Sequence, residues 1–159
     1  MVEIVSIHSD AHLQQQASQL LFDEWANEYR IFDGIHTAQE LCERVVAQNT
    51  CLAAIDDDGA VLGVAMISKD DWGVRPDLVP WLSNVCVHRS RRGCGIGTKL
   101  VRAAMERVRN GSTIYLWTYT DRLVEFYRRF GFKVIDTIPQ HHHMQNVTVM
   151  AFSTLHTCT

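Results

Sequence analysis

Proline is scarce, at three of 159 residues, and the five cysteines form no Cys-x-x-Cys pair. With only nine glycines as well, a collagen-like repeat or a low-complexity linker is excluded. Cys42, Cys51, Cys86, Cys94 and Cys158 are odd in number and widely spaced, which fits reduced thiols better than a disulfide framework or a zinc site. No apolar run approaches the roughly 18–20 residues that span a bilayer. The start, Met1-Val2-Glu3-Ile4, lacks the basic and apolar regions of a signal peptide. The expectation is a cytoplasmic protein with neither a membrane nor a metal among its partners. Basic residues are short in one half of the chain. Residues 1–80 hold 14 acids against four bases, and residues 81–159 hold four acids against 11 bases. The overall formal charge of -3 argues against a nucleic-acid partner. The split itself predicts one end that attracts cations and another that attracts anions. What is present is enough apolar residue, 47%, for one core, so residues 1–159 are expected to form a single domain.

The patterning predicts eleven elements in the order β-α-α-β-β-β-α-β-α-β-β. A weak strand covers residues 2–7. Asp10 then caps a helix in which Leu13, Ala17, Leu20, Leu21 and Trp25 recur at helical spacing. Thr37 and Glu40 form a capping-box pattern before Leu41, Cys42, Val45 and Val46. Asp56-Asp57-Asp58-Gly59 between two apolar runs reads as a hairpin turn; its spacing does not suit a calcium loop. Residues 69–80 are polar and read as a loop. Strands follow at Trp81–Val87 and Thr113–Trp117. Asp121 is expected to cap a helix with Leu123, Phe126, Tyr127 and Phe130 on its inner face, ended by Gly131. Strands at 132–138 and 147–152 close the chain. His141-His142-His143 reads as an exposed turn rather than a metal site.

The most informative stretch is Val85-Cys86-Val87-His88-Arg89-Ser90-Arg91-Arg92-Gly93-Cys94-Gly95-Ile96-Gly97-Thr98. A buried strand runs into a glycine turn that opens an amphipathic helix. Free amides at a helix start point outward, the helix dipole favours an anion there, and glycine lets a ligand approach the backbone. With three arginines at the same end, pyrophosphate is the chemical inference. A P-loop requires Gly-Lys-Ser/Thr, which Gly97-Thr98-Lys99 breaks, and a Rossmann fingerprint requires a glycine where Thr98 stands.

Arg92-x-x-Gly95-x-Gly97 resembles the Arg/Gln-x-x-Gly-x-Gly/Ala motif of the GNAT superfamily of acyl-CoA-dependent N-acyltransferases. Phe126-Tyr127-Arg128-Arg129-Phe130-Gly131-Phe132 is similar to that family's Phe-Tyr-x-x-x-Gly-Phe signature, and the element order matches along nearly the whole chain. The resemblance implies an α/β (α+β) fold with a mixed, mostly antiparallel central sheet, helices on both faces, and splayed fourth and fifth strands. It implies acetyl-CoA as acyl donor. Val85, Cys86 and Val87 would offer backbone groups to pantetheine, and Arg92, Gly93, Cys94, Gly95, Ile96, Gly97 and Thr98 would cradle the pyrophosphate. Thr120 and Asp121 would add contacts from the next helix start, Thr120 standing where the family often has Asn. Tyr127 would be the general acid for the departing thiolate, helped by any nearby positive charge. Glu24, Asp71, His88 and His143 all remain open as the base, and Cys86 and Cys94 are expected to be structural.

In such a fold the first two helices and the central strands would shape the acceptor site. They would supply Glu24, Tyr29, Trp81, Ser83, Trp117 and Tyr119, with Trp25, Phe32, Glu28 and Asp33 near them. Aromatic faces and acids together suit a cationic amine. The expected activity is acetyl transfer to a small-molecule primary amine by a monomer or homodimer. A peptide N-terminal acetyltransferase and a non-catalytic acyl-CoA-binding module are the alternatives.

Overall fold

The computed structural model describes residues 1–25, 34–108, 111–142 and 144–153. The order along the chain is β1 (Glu3–Ser6), α1 (Ala11–Trp25), α2 (Ala38–Leu41), β2 (Thr50–Ile55), β3 (Val61–Ser68), β4 (Trp81–Val87), α3 (Ile96–Arg107), β5 (Thr113–Thr118), α4 (Asp121–Arg128), β6 (Lys133–His141) and β7 (Met144–Ser153). This is the order expected from the sequence. The seven strands form one sheet in the order β1-β2-β3-β4-β5-β7-β6. All neighbours are antiparallel except β4 and β5, whose only paired residues are Trp81 and Tyr115. A backbone bond from Tyr115 to the Pro80 carbonyl at 3.0 Å reinforces that point. Beyond it the two parallel strands separate.

Helices cover both faces. On one, α3 and α4 bury Leu100, Val101, Ala104, Val124 and Tyr127 against β2, β3, β4 and β5. On the other, Ala17 and Leu21 of α1 and Leu41 of α2 pack on Cys51, Ala53, Val64 and Met66. Gly63 sets how closely α3 can approach, because a β-carbon there would lie 2.9 Å from the Cys86 carbonyl and 3.0 Å from a Leu100 methyl. A third cluster has no helical cover. Val74, with Trp72 and Leu78 beside it, lies over Trp81, Val147 and Val149. The segment 69–80, expected to be merely polar, therefore carries the apolar residues that roof this part of the sheet.

Local signals behave as their chemistry requires, with five corrections. Asp10 accepts the Leu13 amide at 2.9 Å and starts α1. Asp56 accepts the amides of Asp58 (3.0 Å) and Ala60 (2.9 Å), closing the hairpin with Gly59 at φ +78°. Thr37 accepts the Glu40 amide, but Glu40 returns to the His36 amide at 2.7 Å, one residue further back than a capping box. The second helix holds its α form only to Leu41 and continues as a π-helical turn over Cys42–Val46. The cap of α4 is Thr120, whose Oγ1 accepts the Leu123 amide at 3.3 Å, and Asp121 is the first helical residue. Val124 rather than Leu123 faces inward there, and Leu123 is exposed. The last two strands run longer than the apolar pattern, meeting at the histidine turn.

Candidate active site

The end of β4 leads into the glycine turn through a short helical turn, Arg89–Arg91. Gly93 and Gly95 take φ +77° and +80°, with nothing within 4 Å of where a β-carbon would stand. The open, left-handed backbone is what glycine uniquely supplies at low cost. Gly95 is the N-cap of α3 and offers no side chain to the first turn, so the amides of Ile96, Gly97 and Thr98 are donors for an outside acceptor. Gly97 differs, lying close to Phe126 and Val87 in ordinary contact. Cys94 is exposed, with Sγ 3.7 Å from the Arg92 carbonyl. Cys86 is buried, and loss of hydration, with the charge of Glu24, pushes its thiol up to about 12. Such a thiol is inert as a nucleophile near neutral pH.

Glu24, expected to meet an acceptor, reaches the glycine turn. Its carboxylate takes Arg92 Nη2 at 2.8 Å and Arg89 Nε at 3.1 Å. Burial opposes its ionisation, but hydrogen bonds from Arg92 and Arg89 outweigh that and hold the carboxyl below its usual range. Arg92 Nε also donates to the Val87 carbonyl at 2.9 Å. Glu24 thus ties α1 to the phosphate turn, and its charge is balanced there.

The β3–β4 register slips between Val64 and Met66, giving β4 one extra residue around Asn84 and Val85. Asn84 sits at φ +50°, so the strand bulges next to the opening toward β5. Ser83, expected to meet an acceptor, is buried with its Oγ 2.9 Å from Ser68 Oγ. Trp81 is fully buried beside Tyr115, and its indole nitrogen has no hydrogen-bond partner among the described residues. Trp117 and Tyr119 are half-buried on β5 and just after it, with ring centroids 6.4 Å apart. Tyr29, like Phe32, Glu28, Asp33 and His143, lies outside the described residues.

Trp72, absent from the sequence reading, completes this wall. Its ring stacks on Trp117 (6.1 Å, 26°) and on His142 (4.6 Å, 17°). Its backbone has φ +56°, strained for a tryptophan, and its carbonyl accepts His141 Nε2 at 2.7 Å. Asp71 precedes it. That residue is half-buried by its surface, yet its carboxyl is covered enough that desolvation, then the charge of Asp70, pushes it up to about 8. The Trp117 indole favours its charged form from outside strict hydrogen-bond geometry. Tyr127 is buried between Phe126 and Phe132, ring centroids 5.0 and 6.0 Å away. Burial raises its hydroxyl above the usual tyrosine range, and the charge of Asp71 raises it further. A nearby positive charge would ease proton release from Tyr127; burial and the charge of Asp71 act the other way.

Sheet, bulge, turn and tyrosine define an acyl-CoA-dependent transferase. Residues 18–132 match the family model of the acetyltransferase (GNAT) family, and the chain belongs to that family. It is an acyltransferase with acetyl-CoA as donor. The fold is shared with a crystal structure of aminoglycoside 6'-N-acetyltransferase complexed with coenzyme A (TM-score 0.73, 24% identity, 96% of this chain and 97% of that one). It is also shared with a histone acetyltransferase HPA2 and related acetyltransferase from Corynebacterium glutamicum (TM-score 0.76, 18% identity, 94% of each chain). The ribosomal-protein-S18-alanine N-acetyltransferase from Escherichia coli is similar too (TM-score 0.67, 14% identity, 97% of this chain and 94% of that one). None of the curated proteins matches the chain. No helix among the described residues is long and apolar enough to cross a membrane.

Proposed function

We propose that the protein transfers the acetyl group of acetyl-CoA to the primary amine of a small cationic molecule, by direct attack while both substrates are bound. The observation that carries the acceptor class is the wall of Trp72, Trp117 and Tyr119 set beside Asp71. Flat aromatic faces attract a cation through the ring quadrupole, and a desolvated carboxyl supplies its counter-charge.

The chain's own residues suit the donor. Left-handed glycines with open space above them and the uncapped first turn of α3 fit a pyrophosphate. Val85, Cys86 and Val87 lie on the edge of β4 that β5 leaves unpaired, where an extended pantetheine arm can take the place of a strand. A backbone amide of β4 near Val87 polarises the thioester carbonyl and holds the developing oxyanion. Tyr127 gives a proton to the departing thiolate. Thr120 acts through its cap of α4, which fixes the helix that carries Tyr127, with Asp121 at the dipole-favoured first position.

Thiol release from acetyl-CoA, measured against small amines, aminoglycosides and peptides, tests this. We expect turnover with cationic small amines and a fall in kcat of at least about 100-fold in Tyr127→Phe, with CoA affinity kept. Activity confined to peptides would replace the acceptor class. CoA binding without turnover would make the protein a binding module.

A further inference from the structure

We propose that Asp136 is a positioning residue for the acceptor: through Arg75 it straps the roof segment 69–80 to β6, and the strap holds the Trp72 ring against Trp117. The inference rests on the acetyl-transfer reading and its aromatic wall, and deepens it by naming what sets the shape of that wall.

The strap begins with a register shift. β6 and β7 pair Val134 with Met150 and Asp136 with Val149, so Ile135 is the extra residue of a bulge. Residues directly opposite one another in a sheet share a face. Met150 belongs to the core under α3 and α4, while Val149 belongs to the cluster that the roof covers. In unbroken register Ile135 would stand opposite Val149, and Asp136 would turn to the other face. The bulge leaves Ile135 exposed and puts a carboxylate on the side of the roof.

Each oxygen of that carboxylate has its own partner. Oδ1 accepts the Thr137 amide at 2.8 Å, and Oδ2 accepts Arg75 Nη1 at 2.7 Å. Asp77 takes the rest of the guanidinium, Nε at 2.8 Å and Nη2 at 2.7 Å, as a bidentate pair. Arg75 is therefore fixed to its own segment by one acid and to β6 by the other.

A second fastening lies at the hairpin end of β6. His141 Nε2 donates to the Trp72 carbonyl at 2.7 Å, and the His142 ring stacks on the Trp72 ring. Between the two fastenings Val74 packs with Met144, Val147 and Val149. Trp72 is thus held at φ +56° with its ring 6.1 Å from that of Trp117. An aromatic pair set in place before a ligand arrives spares the cost of ordering it on binding. Cutting the strap should appear in acceptor KM. The glycine turn and Tyr127, on other elements, should be untouched.

Two fastenings in parallel on one residue have a signature that plain loss of stability lacks. The test uses the cationic amine turned over fastest in the panel above, with CoA affinity measured by calorimetry. Asn keeps the oxygen that accepts the Thr137 amide, so Asp136→Asn removes the ion pair alone. The paired side chains are 33% and 37% exposed, so KM should rise roughly two- to fivefold, with kcat and CoA affinity unchanged. Arg75→Gln should match this, and the two together should cost no more than either. Adding His141→Ala to Asp136→Asn should raise KM by more than the product of the single effects, because each fastening still holds Trp72 when the other is cut. Effects that multiply in both pairs overturn the proposal, as does an equal fall in kcat and CoA affinity. A readout without turnover is the circular-dichroism couplet of the stacked Trp72 and Trp117, which Trp72→Phe identifies. It should weaken in Asp136→Asn and in Arg75→Gln; a couplet equal to wild type in both overturns the proposal. Trp117→Ala separates the strap from the acceptor reading. If KM is unchanged there, the aromatic wall is not the acceptor site and both fall. If KM rises there but not in Asp136→Asn, the positioning role alone falls. If no amine is turned over, the acceptor reading fails, and the couplet still decides whether Asp136 holds Trp72.

Discussion

At the phosphate turn, charge is handled in the open. Glu24 is ionised and gripped by two arginines, the glycines face free space, and the helix start presents bare amides. Around Asp71 the opposite holds. The carboxyl is covered, is paired with no cation among the described residues, and lies next in sequence to Trp72, which stacks on Trp117. On the proposed reading the first region would bind a constant, highly charged partner through backbone that any sequence could supply, provided glycine stands at two positions. The second gathers its aromatic side chains from segments far apart in sequence, where the proposed acceptor would bind. The difference explains how one fold can keep a single donor and change acceptors.

The sharpest way to break the comparison is at the glycines. Gly95→Val forces a β-branched residue to φ +80°, and we expect loss of CoA binding of more than about tenfold with about 1–2 kcal/mol of lost stability, read by calorimetry. Gly63→Ala tests the shared scaffold. Its methyl would press the Cys86 carbonyl, and a loss of about 1–3 kcal/mol should lower Tm by roughly 2–12 °C with the acceptor preference intact. Trp117→Ala should raise KM for cationic amines several-fold and leave CoA affinity alone; equal changes in both would show that the two regions are not separable.

The two acids should also respond to pH with opposite signs. Glu24 is lowered in the fold, so its contribution is present above its unfolded pKa and is lost as pH falls through the folded one. Asp71 is raised, so the folded state retains a proton the unfolded chain gives up, and its effect on stability worsens as pH rises from about 4 toward about 8. In thermal melts across that range, Glu24→Gln should cost stability mainly above acid pH. Asp71→Asn should add stability mainly at alkaline pH. The smallest expected effect is on donor affinity in Glu24→Gln. Removing one negative charge beside the arginines should tighten CoA a few-fold, more at low salt.

The element order, the hairpin at Asp56 and the glycine turn were all legible in the sequence, because each rests on contacts within a few residues. Tyr127 was legible through its motif, although its buried setting between Phe126 and Phe132 was not. The aromatic wall was hidden. Trp72 sits in a segment whose local composition reads as a polar loop, and only the sheet brings it against Trp117 and the histidine turn. The pairing of Glu24 was hidden for a related reason. Its partners Arg89 and Arg92 lie more than sixty residues away, and nothing local to α1 marks the pairing. Asp71 was one of four residues named as a possible base, and its electrostatic tie to Trp117 of β5 comes from the fold rather than from its neighbours in sequence.

The lone pairing of Trp81 with Tyr115 has a mechanical consequence. A sheet fastened at one point across its middle behaves as two plates, β1–β4 and β5–β7–β6, joined near one edge. The phosphate turn rides on the first plate, while Tyr127 and Trp117 ride on the second. What holds the plates in register beyond that one pairing is side-chain packing, since Leu82 of the first plate and Leu116 and Met150 of the second lie in a single core cluster.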